Sequence, residues 1–281
     1  MELSMSNGSS GRLVLAGDIG GTKTNLGLYK MGLERPEPVA KEFYASSESA
    51  DLESLVARFM EEHPSPVSAA CFGVAGPVRS GTSKATNLPW IVSEEGMRTR
   101  FGWDKVRLIN DLVATAYAIP ILRAAELAEI NRGEGDPEGN IGLVAPGTGL
   151  GISFMVWREG KLIPVSSEGG HVDFAPRTDK EIALFRHFRT RLGRVSIERV
   201  ISGPGLYDIY TWLRDASGLP EPAWLQERMN REDSSKVVSE VGLAGVDPVC
   251  EEALDMFVSL LAAAAGNLAL TVLATGGMYL G

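Results

Sequence analysis

Gly17-Asp18-Ile19-Gly20-Gly21-Thr22-Lys23-Thr24 sits between two short apolar runs, RLVLA at 12–16 and NLGLY at 25–29. Leu26 and Leu28 fall on one face at period two, so the runs read as a β-hairpin whose tip is Gly-Gly-Thr-Lys. The octet nearly matches a P-loop. It departs at Thr22, where that motif needs glycine, and in leading to a strand rather than a helix. What the residue types retain is a glycine turn whose backbone N–H groups can approach phosphate, with Thr22 and Lys23 as donors beside Gly20 and Gly21. Asp18, ending its strand, suits Mg²⁺ held through water, since hard cations prefer oxygen. The plain alternative is an ordinary hairpin with an exposed lysine.

A second unit of the same kind lies further along. Ile141–Ala145 and Ile152–Trp157 flank Pro146-Gly147-Thr148-Gly149-Leu150-Gly151. Because a strand follows, this loop is not the dinucleotide fingerprint, which opens a helix. Two strand–glycine loop–strand units suggest two lobes gripping one polyphosphate from either side. With helices after each unit, the expectation is an α/β fold with a duplicated core and an interlobe cleft.

Outward from these loops, Leu52, Leu55, Val56, Phe59 and Met60 follow a helical apolar spacing, with Ser49 or Asp51 as cap and Pro64 beyond the end. Val67–Val74 and Val106–Ile109 read as buried strands, and a short helix covers residues 94–100. Residues 112–122 read as a helix interrupted at Pro120, and 131–140 as a polar loop. Lys161–Val165 reads as a strand, and Thr178-x-x-Glu181 as a capping box. Helices follow Gly203-Pro204-Gly205 and run from about Pro248 to Leu270; Val272–Ala274 then begins a strand that Gly276-Gly277 ends.

Composition removes several classes. At about 150 residues per domain, 281 residues suggest about two domains. Hydrophobic residues at 44% and charged residues at 22% are globular values. A net charge of −9 gives no electrostatic reason to bind nucleic acid. Two cysteines, Cys71 and Cys250, make neither a disulfide framework nor a four-thiolate zinc site, and their apolar neighbours suit small buried hydrophobes. There is no uninterrupted apolar run of about 18 residues, so no membrane span is expected. The opening MELSMSNGSSGR has no cationic region before an apolar core; residues 1–11 read as a disordered leader and the setting as cytoplasmic.

Asn110-Asp111 lies between a strand and a helix, where a carboxylate either caps the helix or accepts a proton from a substrate hydroxyl. In Glu168-Gly-Gly-His171 two glycines expose the polar pair, which suits recognition of sugar hydroxyls better than a metal. Glu198 is either a first-turn helix acid or another sugar contact, and Asn87 in TNLPW belongs to a loop that could close over a polar ligand.

Taken together, GDIGGTKT, GPV at 76–78, TNLPW at 86–90, LINDLVATAY at 108–117, APGTGLG at 145–151, SEGGHVDFAP at 167–176, VSIERVISGPGL at 195–206 and LATGGMYLG at 273–281 resemble the bacterial-type glucokinases of the actin-like (ribonuclease H-like) sugar kinases. The resemblance runs from about residue 12 to the end. It implies ATP-dependent phosphorylation of the glucose 6-hydroxyl with Mg²⁺, Asp111 as the base, and Asn87, Asn110, Glu168, His171 and Glu198 on the sugar. It also implies the loops at 18–23 and 147–151 on the nucleotide phosphates, Gly276 and Gly277 on the adenosine side, and a homodimer. The lobes would be 12–109 and 110–281. The cysteine-rich zinc motif of the related ROK kinases is missing, which favours the zinc-free branch. The resemblance further implies a strand and a terminal helix after the glycine turn, returning to the small lobe. Alternatives are a kinase for another hexose and a shortened sugar-binding protein with little activity.

Overall fold

The computed structural model describes residues 13–32, 34–85, 88–218 and 220–281; the leader at 1–11 and Asn87 lie outside them. The chain divides into two compact units between Ile130 and Asn131.

The first unit opens with the hairpin β1 (Leu13–Ile19) and β2 (Lys23–Lys30), then β3 (Glu37–Ala45), α1 (Leu52–Glu62) and β4 (Val67–Val74). A small sheet of β5 (Val78–Arg79), β6 (Thr82–Lys84) and β7 (Ile91–Ser93) precedes α2 (Glu94–Phe101), β8 (Val106–Asn110) and α3 (Asp111–Ala118). The main sheet has the order β3-β2-β1-β4-β8, antiparallel through the hairpin and parallel from β1 to β4 to β8. Its register sets Asp18 opposite Asn25 on one side and Gly73 on the other, and Val74 opposite Asn110. The carboxyl ends of three neighbouring strands therefore meet at one edge, where open α/β sheets place their ligands. α1 forms as the spacing predicts: Asp51 accepts the Ser54 N–H at 2.7 Å, and Leu52, Leu55, Val56 and Phe59 are buried. They join Leu15, Leu26, Phe72 and Trp90 in one core. α3 packs on β4 and β8 and belongs to the first unit.

The second unit pairs β9 (Ile141–Pro146), β10 (Leu150–Arg158) and β11 (Lys161–Ser166) as an antiparallel meander. A 3-10 turn, Gly169–His171, leads to α4 (Asp179–Leu192), and another, Ile197–Arg199, to α5 (Gly203–Ser217). α6 (Ala223–Arg231), α7 (Ser234–Leu243), α8 (Pro248–Val272) and β12 (Gly277–Leu280) complete it. Sheet order is β11-β10-β9-β12, with β12 parallel to β9. The capping box at α4 forms by half. Thr178 accepts the Glu181 N–H at 3.2 Å, and the Glu181 carboxylate is taken chiefly by Arg177, backbone and guanidinium.

The C-terminal strand corrects the sequence expectation. Val272 is the last residue of α8, Leu273 caps it at φ +51°, and β12 starts only at Gly277. The run before it is rich in alanine and leucine and holds no proline, so the helix passes Gly266 and continues through Val272. α8 also alters the reading of hydropathy: over 25 residues it is long and apolar enough to cross a membrane by length and composition. Here it packs on α5, α7 and β9, with Cys250, Ala253 and Leu260 buried in the core that also holds Leu184, Phe188 and Tyr210.

Candidate active site

In the first unit the glycine turn is shaped from behind. Gly20 N–H donates to Lys23 O at 3.0 Å; Ser46 donates its backbone N–H to Thr22 O at 2.9 Å and its hydroxyl to Gly20 O at 2.8 Å. Two loop carbonyls are thus tied to the protein, and Thr22 and Lys23 remain exposed at the tip. Asp18 is exposed, and its Oδ2 accepts from Asn25 Nδ2 at 3.2 Å. Asn25 Oδ1 is buried and has no partner among the described residues.

Asn110 answers the question left by the Asn-Asp pair. It is the N-cap of α3: its Oδ1 accepts the Leu112 N–H at 3.0 Å and the Val113 N–H at 3.4 Å, and its Nδ2 donates to Gly76 O at 3.3 Å. Capping therefore falls to the amide, which leaves the carboxylate of Asp111, in the first turn, for other work. One Asp111 oxygen accepts the Leu112 N–H at 2.8 Å. Burial pushes the Asp111 carboxyl above the ordinary aspartate value; the Leu112 bond opposes this, and the nearby Asp18 charge adds to it. Gly73 permits the approach of helix to sheet, because a Cβ there would lie 3.2 Å from Ala114 Cβ and 3.7 Å from Asp111 Cα.

In the second unit the loop at 147–149 is gripped at both ends by one segment. Gly203 N–H donates to Gly147 O at 2.8 Å, and Leu150 N–H donates to Glu198 Oε2 at 3.1 Å. Gly147 and Thr148 are exposed at the tip. Glu198 belongs to the 3-10 turn before α5, not to the first turn of α5 itself. Its Oε1 lies 3.8 Å from His171 Nδ1, and His171 Nε2 lies 4.0 Å from Glu168 Oε2. Glu168 and His171 are exposed while Glu198 is 26% exposed, a carboxylate–imidazole–carboxylate group open to a polar ligand. Packing requires glycine at 170, where a Cβ would lie 2.1 Å from Leu150 O, and leaves a tight fit at Gly169, where one would lie 3.0 Å from Ile152 Cγ2. Arg194, which no sequence pattern singled out, braces the turn by donating to His171 O at 2.8 Å and Asp173 Oδ1 at 2.7 Å.

Gly276 and Gly277 stand apart from that group, at the start of β12. Gly276 N–H donates to Asn140 O at 2.8 Å, and Gly277 has φ +129°, a conformation that suits glycine. A cavity of about 530 Å³ in this unit is lined mainly by apolar groups such as Phe154, Phe174 and Leu268, so it is distinct in character from the polar cluster. No group of three or more His, Cys, Asp or Glu able to hold a metal occurs among the described residues. Asp18, exposed and bonded through Oδ2 to Asn25, offers the kind of carboxylate oxygen that suits a hard cation held mostly by phosphate and water. Burial pushes the thiols of Cys71 and Cys250 up, the latter to about 12, which makes them poor nucleophiles.

The chain is similar to known proteins over nearly its whole length. The family model described as glucokinase matches residues 15–281. The glucokinase of Nostoc punctiforme is 37% identical over 283 residues, covering 95% of this chain and 83% of its own. That of Caulobacter sp. is 37% identical, covering 98% and 81%. Among solved structures, a glucokinase from an Antarctic psychrotroph superposes with TM-score 0.82 at 29% identity, over 95% of this chain and 82% of the other. A ROK family glucokinase from Streptomyces griseus, solved with glucose and AMPPNP, shares the fold at TM-score 0.62 and 22% identity, over 96% and 82%.

Proposed function

The chain belongs to the glucokinase family, and from that premise we propose that it transfers the γ-phosphoryl group of ATP to the 6-hydroxyl of D-glucose, with Asp111 as general base. The observation that carries the base assignment is the state of Asp111 itself. It is half-buried, released from capping by Asn110, and its proton affinity is raised by burial and by Asp18. A base of raised pKa is better matched to accepting a hydroxyl proton than an ordinary carboxylate.

In this reading the sugar is held by Glu168, His171 and Glu198, whose carboxylates accept from hydroxyls while the imidazole donates or accepts. The second hydrogen of Asn110 Nδ2 and the amide of Asn87 add to that set. An analogue lacking one hydroxyl leaves a polar group unpaired, which is how such a site discriminates. The turns at 20–23 and 147–151 receive the phosphates through backbone N–H groups, Thr22, Lys23 and Thr148. Gly276 and Gly277 allow close approach of the adenosine. Asp18 would hold Mg²⁺ through water; when bound, that ion supplies neutralisation of the phosphate charge. Asp111 orients the 6-hydroxyl and takes its proton as the new O–P bond forms and the bond to the β-phosphate oxygen breaks. Positioning and charge neutralisation carry most of the rate.

The test is ADP release across glucose, mannose, fructose and N-acetylated amino sugars, for the wild type and Asp111→Ala. Release should depend on glucose. Asp111→Ala should lower kcat by about 10²–10⁴-fold while the glucose Kd stays within about threefold. Near-normal turnover in that variant would remove Asp111 as the base.

A further inference from the structure

Glu198 stands at a junction that a sugar contact does not need. Its Oε1 faces His171 at 3.8 Å, while its Oε2 accepts the N–H of Leu150, in the 147–151 loop, at 3.1 Å. Gly149 completes the junction, since a Cβ there would lie 2.7 Å from Glu198 Oε2 and nowhere near backbone. The carboxylate therefore fills the space that a side chain at position 149 would take and holds the loop through the Leu150 N–H. The close packing of Gly170 on Leu150 O brings the 168–171 turn against the same residue.

We propose that Glu198 is a positioning residue that couples sugar binding to nucleotide binding within the second unit: one carboxylate engages the sugar cluster through Oε1 and sets the phosphate loop through Oε2. This rests on the reading of 147–151 as a phosphate loop and of the 168–171 turn as a sugar site. Sugar binding that draws on Oε1 fixes the carboxylate and, through Oε2, the direction of the Leu150 N–H. The nucleotide then meets a loop whose geometry is already set, which is positive coupling between two ligands.

Three variants separate this from a simple contact. Gly149 does not have a positive φ, so Gly149→Ala is compatible with its backbone, and the added methyl displaces only the tip of a side chain. Glu198→Ala removes both functions, whereas Glu198→Gln keeps an oxygen able to accept from Leu150 while losing the charge. Glucose and AMPPNP are titrated by calorimetry, each alone and each in the presence of the other, with ADP release by the wild type as control.

Glu198→Ala should weaken both ligands by about tenfold or more, the loss expected for a hydrogen bond to a charged group. Glu198→Gln should restore AMPPNP to within about threefold of wild type while glucose stays weak. Gly149→Ala, a change in the nucleotide loop, should weaken glucose, and the mutual enhancement of the two ligands should fall to about unity. If Glu198→Ala leaves AMPPNP affinity unchanged, or Gly149→Ala leaves glucose affinity unchanged, the coupling role is overturned. A wild type that neither binds glucose nor releases ADP with it would instead overturn the functional reading, and AMPPNP binding to Glu198→Ala would still decide whether the carboxylate sets the loop.

Discussion

Asp111 shows how one neighbour alters the duty of a side chain. Were Asn110 unable to cap α3, the carboxylate beside it would be the natural acceptor for the first-turn N–H groups; with the amide in place, its bond to the next residue of the helix is the one from the Leu112 N–H. Its raised proton affinity has two consequences. A carboxyl that binds its proton more tightly folded than unfolded loses stability for the protein as pH climbs from the ordinary value of 3.8 through the higher native value, and the loss persists above it. Asp111→Asn should therefore raise the thermal midpoint at pH 7, and the gain should shrink as the pH is lowered toward 3.8. In the wild type, the acid limb of kcat/KM should lie above the ordinary aspartate range, read from a pH–rate profile. A midpoint in Asp111→Asn that is lower than wild type at pH 7 would contradict the burial argument. The pair Asn110-Asp111 was visible in the sequence as a strand-to-helix junction, but the division of labour within it was not. Residues such as Ser46, Asn25 and Arg194 carried no signal at all, because each acts on a partner distant along the chain or across a hairpin.

Secondary elements were readable wherever periodicity and punctuation agreed. α1 has both a cap and a clean apolar face, and the β1–β2 and β9–β10 hairpins have glycine turns between apolar runs. β3 escaped because EPVAKEFYA is an exposed edge strand with charges among its apolar residues, and Phe43 on it is 73% exposed. The strands of the small sheet are only two or three residues long, below what alternation can register. At α8 the helix runs two residues beyond the expected end at Leu270, whereas its start falls where expected, for a local reason. Asp247 is nearly buried and accepts the Val249 and Cys250 N–H groups at 3.0 and 2.9 Å, with Pro248 pre-set for the first turn. Asp247→Ala should cost about 1 kcal/mol, seen as a lower urea midpoint at unchanged slope, and Asp247→Asn should recover most of it. An unchanged midpoint in the alanine variant would mean that packing alone specifies where α8 begins.

For the molecule as a whole, the feature to weigh is that each unit has an apolar core of its own. Residues 123–138, which contain the boundary between the units, are exposed throughout, with only a short 3-10 turn at Ala124–Glu126 among them. Brief trypsin treatment should therefore cut first at Arg132 or Arg123 and leave two protease-resistant fragments, identified by mass. Early cleavage inside either core would refute that division. The division also bears on inheritance. Asp111 and the first glycine turn are supported by one core, and Glu168, His171, Glu198 and the second turn by the other. Random lesions that soften Phe59 or Phe72 should accumulate as alleles poor in turnover, while those that soften Phe188 or Tyr210 should accumulate as alleles that are hungry for sugar. A selection run at low and at high glucose would then sort a mutant library into two groups, and the genetic map of those groups would trace the boundary near Ile130 without reference to any coordinate.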